Sequence, residues 1–154
     1  MKISTALAGV RQLYIETAPL IYYVELNPDY TARMDAIVAA IETASIEAVS
    51  SVITLVEVLS HPMKVGDQRL IQEYRDILVN SGEFRLVPVT ARIAEYAAEM
   101  RARYNLRTPD ALHVSSAVLT GCDAFLTNDA GLERVTEIRI LVLNALELDV
   151  PSER

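Results

Sequence analysis

Apolar positions along this 154-residue chain fall into short continuous runs, separated by longer stretches where they recur every three to four residues. Short runs bounded by polar residues predict buried strands, and the longer recurrence predicts amphipathic helices. Residues 11–15 make the first run and end at Glu16, after which Thr17-Ala18-Pro19 starts a very apolar helix. Asn27-Pro28 interrupts it and opens a second helix with Met34, Ile37, Val38 and Ile41 on one face. Residues 46–50 follow as a strand. Residues 54–59 read as a helix that stops ahead of His61-Pro62, because the position before a proline avoids helical backbone. A polar amphipathic helix over residues 66–80 turns Leu70, Tyr74, Ile77 and Leu78 inward. Residues 84–89 are a strand carrying Pro88, and Thr90 caps a helix reaching Arg103 with Ile93, Ala97 and Met100 inward.

The stretch from Thr108 to Leu132 has the densest pattern. Thr108 is placed to cap a helix, Pro109 suits its first position, and Asp110 falls in the first turn, where the helix dipole favours negative charge. Leu112, Ser115, Ser116 and Leu119 recur at helical spacing, and Gly121 is a natural stop. Residues 124–126 form a buried strand, Thr127-Asn128-Asp129 follows at its end, and residues 138–143 make a final strand. This alternation predicts an α/β domain with a central parallel sheet of four or five strands and helices on both faces. Residues 1–11 are expected to be an N-terminal extension, 12–148 the single domain and 149–154 a frayed tail.

Composition narrows the function. The formal net charge of −7 disfavours a protein that grips nucleic acid by a continuous basic surface, and suits an acidic pocket that binds divalent cations. A single cysteine, Cys122, excludes a disulfide framework or a cysteine-rich metal site, and its place between a glycine and a strand makes it a structural thiol. The apolar run within the first ten residues is broken by Gly9 and is too short for a signal peptide; no segment approaches a membrane span. A cytoplasmic location is expected.

Four carboxylates share one type of position. Glu16 and Asp129 fall at strand ends, while Glu57 and Asp110 fall on helices that follow a strand or loop, and such positions converge at the carboxyl edge of a parallel sheet. Glu57 is the only charge between Glu47 and Lys64, so it calls for a cation, a metal or a path to solvent. Oxygen ligands without a Cys or His cluster point to Mg²⁺ or Mn²⁺. His113, one turn after Asp110, reads as a packed or capping histidine ahead of a ligand or general base. Ser115 and Ser116 have no partners for a nucleophilic triad. Asn128 either holds a phosphate or shapes the turn. Arg101, Arg103 and Arg107 either touch an RNA backbone or favour the negative end of a helix. Tyr22, Tyr23 and Tyr30 read as core or dimer surface rather than base-stacking platforms.

Three stretches together resemble the PIN domain ribonucleases, and among them the VapBC-type toxins: YIETAPLIYYVE at residues 14–25, SSVITLVEVLSHP at 50–62 and TPDALHVSSAVLTGCDAFLTND at 108–129. The resemblance covers most of the chain and implies a PIN-like fold. It implies that Glu16, Glu57, Asp110 and Asp129 are the catalytic and metal-holding acids, with Thr17 at the hydroxyl position beside the first acid. It further implies a Mg²⁺- or Mn²⁺-dependent endoribonuclease, the toxin of a toxin–antitoxin pair, with an antitoxin partner and a homodimer. The family opening is usually Asp-Thr-Asn, and here it is Glu16-Thr17-Ala18. That departure favours the alternative, a PIN-fold RNA- or protein-binding module with weak or no cleavage. A phosphatase of the aspartate-nucleophile type would need two aspartates one residue apart after the first strand, which this opening lacks.

Overall fold

The computed structural model describes residues 1–150. Five strands, β1 (Gln12–Ile15), β2 (Glu47–Ser51), β3 (Phe84–Val87), β4 (Ala124–Thr127) and β5 (Arg139–Val142), form one sheet in the order β3-β2-β1-β4-β5. Every neighbouring pair is parallel. The α/β architecture expected from the alternation is therefore the one observed, with the larger of the two strand counts.

Strand side chains alternate between two faces, and each face has its own core. Leu13, Ile15, Ala48, Leu126 and Leu141 pack on one side with Leu20, Met34, Ile37 and Val58 from the helices α2 (Thr17–Val24), α3 (Thr31–Thr43) and α4 (Val52–Val65). Tyr14, Val49 and Phe125 point the other way, onto α6 (Ala91–Tyr104) and α7 (Thr108–Leu119) through Ile93, Met100, Val114 and Ala117. Helices thus cover both faces, as parallel sheets require.

A short helix α1 (Ile3–Leu7) adds Ile3, Ala6 and Leu7 to the first core, so residues 1–11 pack against the rest of the chain. The Ile3 amide donates to the Glu147 carbonyl at 3.0 Å and the Lys2 ammonium pairs with the Glu147 carboxylate at 3.0 Å, which joins the two ends of the domain. Of the tail expected from residue 149 onward, Asp149 accepts the Ser4 amide at 3.1 Å, and residues 151–154 lie outside the described residues.

Several helix boundaries differ from expectation. The α4 helix does not stop before Pro62 but runs on to Val65, and Gly66 ends it in the left-handed region at φ 73°. Pro62 is buried in its last turns, so packing of the ring offsets the hydrogen bond its nitrogen cannot make. Gly66 is accordingly the end of one helix rather than the start of the next. That next helix, α5 (Gln68–Arg75), is capped by Asp67 and widens into a π turn at Asp76–Asn80. Thr90 caps α6 as expected, its hydroxyl accepting the Ile93 amide.

Thr108 is not the cap of α7; Arg107 takes that position without a side-chain cap bond, and Thr108 is already helical. The buried positions of α7 include Ala111, Val114 and Ala117, while Leu112 and Leu119 are only partly covered. This helix is buried on most of its circumference because small residues let it lie close between the sheet and its neighbours.

Candidate functional site

β1 is the middle strand, and the chain leaves it toward β2 on one side and reaches β4 on the other. Connections diverge at that switch point, leaving a crevice at the carboxyl ends of β1 and β4. Glu16 follows the last residue of β1, and its amide extends the ladder by donating to the Leu126 carbonyl at 3.0 Å. Asn128 and Asp129 follow the last residue of β4. Glu57 reaches in from α4 and Asp110 from the first turn of α7. All four acids line one cleft of about 280 Å³, together with Thr17, Ala18, Tyr22, Arg107 and Asn128.

Each carboxylate has one oxygen held by the protein. Thr127 Oγ1 donates to Glu16 Oε2. Glu57 Oε1 lies 3.1 Å from the Thr17 hydroxyl that donates to it and 2.5 Å from His113 Nε2. Arg107 Nε donates to Asp110 Oδ2 at 3.1 Å, and the Gly131 amide donates to Asp129 Oδ1 at 2.9 Å. The second oxygen of each acid has no hydrogen-bond partner among the described residues. Nor do any three Asp, Glu, His or Cys side chains among those residues stand close enough together to form a ready-made metal cage. The acids ring the cleft instead of closing on one point. Such a donor set fits a hard cation that keeps several of its own waters, as Mg²⁺ does, and not zinc.

Glu16 is only 8% exposed. Its side chain is held against the end of the neighbouring strand by Thr127. Burial pushes its pKa up, and the charges of Asp110 and Glu57 add to that effect, against the Thr127 hydrogen bond and His113. Glu57 behaves in the opposite way. Burial pushes it up as well, but the His113 contact, the Thr17 hydroxyl and the Arg107 charge outweigh burial and hold it below the usual carboxylate range. Mutual repulsion among the acids therefore does not raise every member.

Thr17 serves Glu57 rather than capping α2. Asn128 shapes the turn: its Oδ1 accepts the Asn144 amide at 2.9 Å, and its Nδ2 donates to the Tyr22 hydroxyl at 3.4 Å. Tyr22 in turn stacks on Tyr30, with centroids 4.5 Å apart. The arginines separate. Arg107 lines the cleft, whereas Arg103 pairs with Glu137 at 3.3 Å and does not line it, and Arg101 donates to the Leu106 carbonyl. The left-handed Asn105 at φ 54° makes the corner between α6 and α7 that turns Arg107 toward Asp110.

Thr127, Tyr14 and the role of His113 lay beyond sequence reasoning. Thr127 reads as the residue after a buried strand, but it is the last residue of β4 and is itself buried. His113 shares the helix face of Asp110, but its partner Glu57 is 56 residues away. Cys122 carries a thiol that burial pushes up to about 11, consistent with a structural thiol and not a nucleophile.

A larger hollow of about 410 Å³ lies among α2, α3 and β2. Its walls include Leu20, Met34, Ile41 and Phe84, and its acids sit on exposed rims, so the chemistry is assigned to the smaller cleft.

The fold and the cleft together define a one-sheet α/β domain with four carboxylates ringing a cleft at its topological switch point. The PIN domain family model matches residues 13–138, and the chain belongs to the PIN domain family. VapBC from Salmonella typhimurium, solved bound to DNA, aligns with a TM-score of 0.68 at 17% identity, covering 86% of this chain and 98% of that one. FitAcB from Neisseria gonorrhoeae aligns at 0.68 and 16% identity, covering 87% and 99%. VapBC2 from Rickettsia felis, bound to a fragment of its promoter, aligns at 0.65 and 15% identity, covering 85% and 98%. These likenesses concern the fold. No curated protein matches the chain.

Proposed function

We propose that this chain is a Mg²⁺- or Mn²⁺-dependent endoribonuclease and the toxin member of a toxin–antitoxin pair. The observation that carries the reading is the cleft of Glu16, Glu57, Asp110 and Asp129, where each acid keeps one oxygen fixed and one free. Fixed oxygens set the direction of the free ones, and directed, unpartnered carboxylate oxygens are hard-cation ligands. When bound, the ion supplies charge stabilisation for a phosphodiester and activation of the attacking water. Arg107 lines the cleft while Arg103 does not, which supports Arg107 rather than Arg103 as the contact to an RNA phosphate.

Two further solved structures of this fold, a toxin–antitoxin complex from Klebsiella pneumoniae and VapBC-5 of the VapBC family of toxin–antitoxin systems from Mycobacterium tuberculosis, support an antitoxin partner here. On α2, Thr17, Pro19 and Leu20 are buried, whereas Ile21, Tyr22, Tyr23 and Val24 are only partly covered. Val56, Met63 and Val65 on α4 are 49–62% exposed and support a homodimer or partner contact. No helix among the described residues is long and apolar enough to cross a membrane. An RNA substrate goes with action in the cytoplasm.

The decisive experiment is Mn²⁺ calorimetry with an RNA cleavage panel on wild type and Asp110→Asn. Weaker Mn²⁺ binding and lost cleavage in the variant are expected; equal cleavage by both proteins overturns the nuclease reading. The second reading, a binding module with little cleavage, is favoured by the buried, raised Glu16 and the small Ala18. It predicts RNA or protein binding with no cleavage above background in either protein.

A further inference from the structure

A hydrogen-bonded chain runs behind the cleft from β1 to α4, buried at Tyr14 and His113 and ending on the partly exposed Glu57. The Tyr14 hydroxyl lies 2.6 Å from His113 Nδ1, and His113 Nε2 lies 2.5 Å from Glu57 Oε1. The ring is clamped as well as bonded: it meets the edge of Tyr14 at 5.8 Å between centroids, and Tyr14 stacks on Phe125 at 5.0 Å. His113 is 1% exposed, so each of its bonds needs a hydrogen from the chain itself.

Only one tautomer satisfies both ends. With its hydrogen on Nε2, the neutral ring donates to the carboxylate and accepts the tyrosine proton at Nδ1. With its hydrogen on Nδ1, a bare nitrogen would face a carboxylate oxygen, two acceptors at hydrogen-bond distance. Tyr14 therefore selects the tautomer that grips Glu57.

We propose that His113 is a positioning residue for the second acid of the cleft: Tyr14 fixes its ring, and His113 with Thr17 pins Glu57 Oε1 so that Oε2 is presented to a bound cation. The proposal rests on the divalent-cation reading given above. It explains how an acid on a partly exposed helix face is kept in one place without a neighbouring arginine or lysine in contact. Loss of an outer partner of this kind weakens metal binding by about 10–100-fold.

The test uses the whole chain and has two readouts. With only two histidines in the sequence, ¹⁵N NMR of the metal-free wild type separates His113 from exposed His61. A hydrogen is expected on His113 Nε2. Mn²⁺ calorimetry then compares wild type with His113→Gln, which keeps a donor, His113→Phe, which does not, and Tyr14→Phe, which deletes one oxygen and keeps the ring. His113→Phe should bind Mn²⁺ about tenfold more weakly. His113→Gln should recover part of the loss, and saturating Mn²⁺ should restore RNA cleavage to both, which a folding defect would not allow. If His113→Phe does not fold, Tyr14→Phe carries the test through a smaller fall in Mn²⁺ affinity. A neutral ring with its hydrogen on Nδ1 and Nε2 bare, or unchanged Mn²⁺ affinity in every folded variant, overturns the proposal alone. A wild type that takes up no Mn²⁺ overturns it together with the cation reading.

Discussion

Glu16 and Thr127 meet across the ends of two adjacent parallel strands, with the threonine hydroxyl donating to the glutamate carboxylate. The contact keeps the acid at the carboxyl edge of β1, in a place where burial works against its charge. A group whose pKa is raised on folding binds its proton more tightly in the folded state. Its contribution to stability is therefore full at low pH and is lost as pH rises through the folded value.

Glu16→Gln should consequently melt higher than wild type in chelator at about pH 8, by roughly 2–4 °C for a gain of about 1 kcal/mol in a domain of this size. The difference should shrink toward pH 4, where wild-type Glu16 is protonated as well. Thermal melts at both pH values decide this. A variant that is less stable at pH 8, or equally shifted at both, would contradict the burial of a charged Glu16.

Glu57→Gln should show the reverse sign. The pKa of Glu57 is held low, so the stability it contributes is present above its ordinary value and is lost as pH falls through the folded one. Its side chain is about a third exposed, with 36% accessible, so solvent screening limits the effect. A fall of about 1 kcal/mol at pH 7, shrinking as pH drops below the ordinary glutamate value and vanishing once the folded carboxylate is protonated, is expected by chemical denaturation. Identical behaviour of the two glutamate variants would mean that His113 does not discriminate between these acids.

Arg107→Ala removes an exposed partner of Asp110. Melting temperature should stay at the wild-type value, because exposed ion pairs contribute little. Binding of a single-stranded RNA to a protein held in Ca²⁺ should lose about 0.7 from its log–log salt slope, one phosphate contact's worth. An unchanged slope would remove Arg107 from the RNA path, and the same measurement on Arg103→Ala should show no change.

Asn128→Ala leaves the Asn144 amide without its acceptor. A loss of about 1 kcal/mol is expected, seen as a drop of roughly 2–4 °C. Mn²⁺ affinity should hold, since Asn128 shapes the turn and contributes no carboxylate. Loss of Mn²⁺ binding without loss of stability would reverse that assignment.

Val56→Lys combined with Met63→Lys places charge on the exposed face of α4. Light scattering should find wild type as a dimer and the double variant as a monomer with the same circular dichroism. A variant that remains dimeric would move the contact to another surface.

The sequence by itself determined the alternation of strands and helices, and with it the parallel α/β architecture. Periodicity is a local property: an apolar run as short as residues 13–15 and a helix with Ile93, Ala97 and Met100 on one face look the same in any context. It also placed Glu16 and Asp129 just after strands and Asp110 in the first turn of a helix, whereas Glu57 lies in the second turn of α4. Helix ends were less legible where a local rule met a tertiary one. Pro62 should stop a helix, and burial lets α4 continue through it. Thr108 looks like a cap, and the corner at Asn105 hands that position to Arg107. Only the tertiary structure decided which neighbour each acid meets. Thr127 is 111 residues from Glu16, His113 is 56 from Glu57 and Tyr14 is 99 from His113. Those partners are set by strand order and by how closely α7 lies on the sheet, and no local pattern carries that information. The same carboxylate side chain therefore acquires opposite shifts at residues 16 and 57, because charge responds to what surrounds it in space and not to its place along the chain.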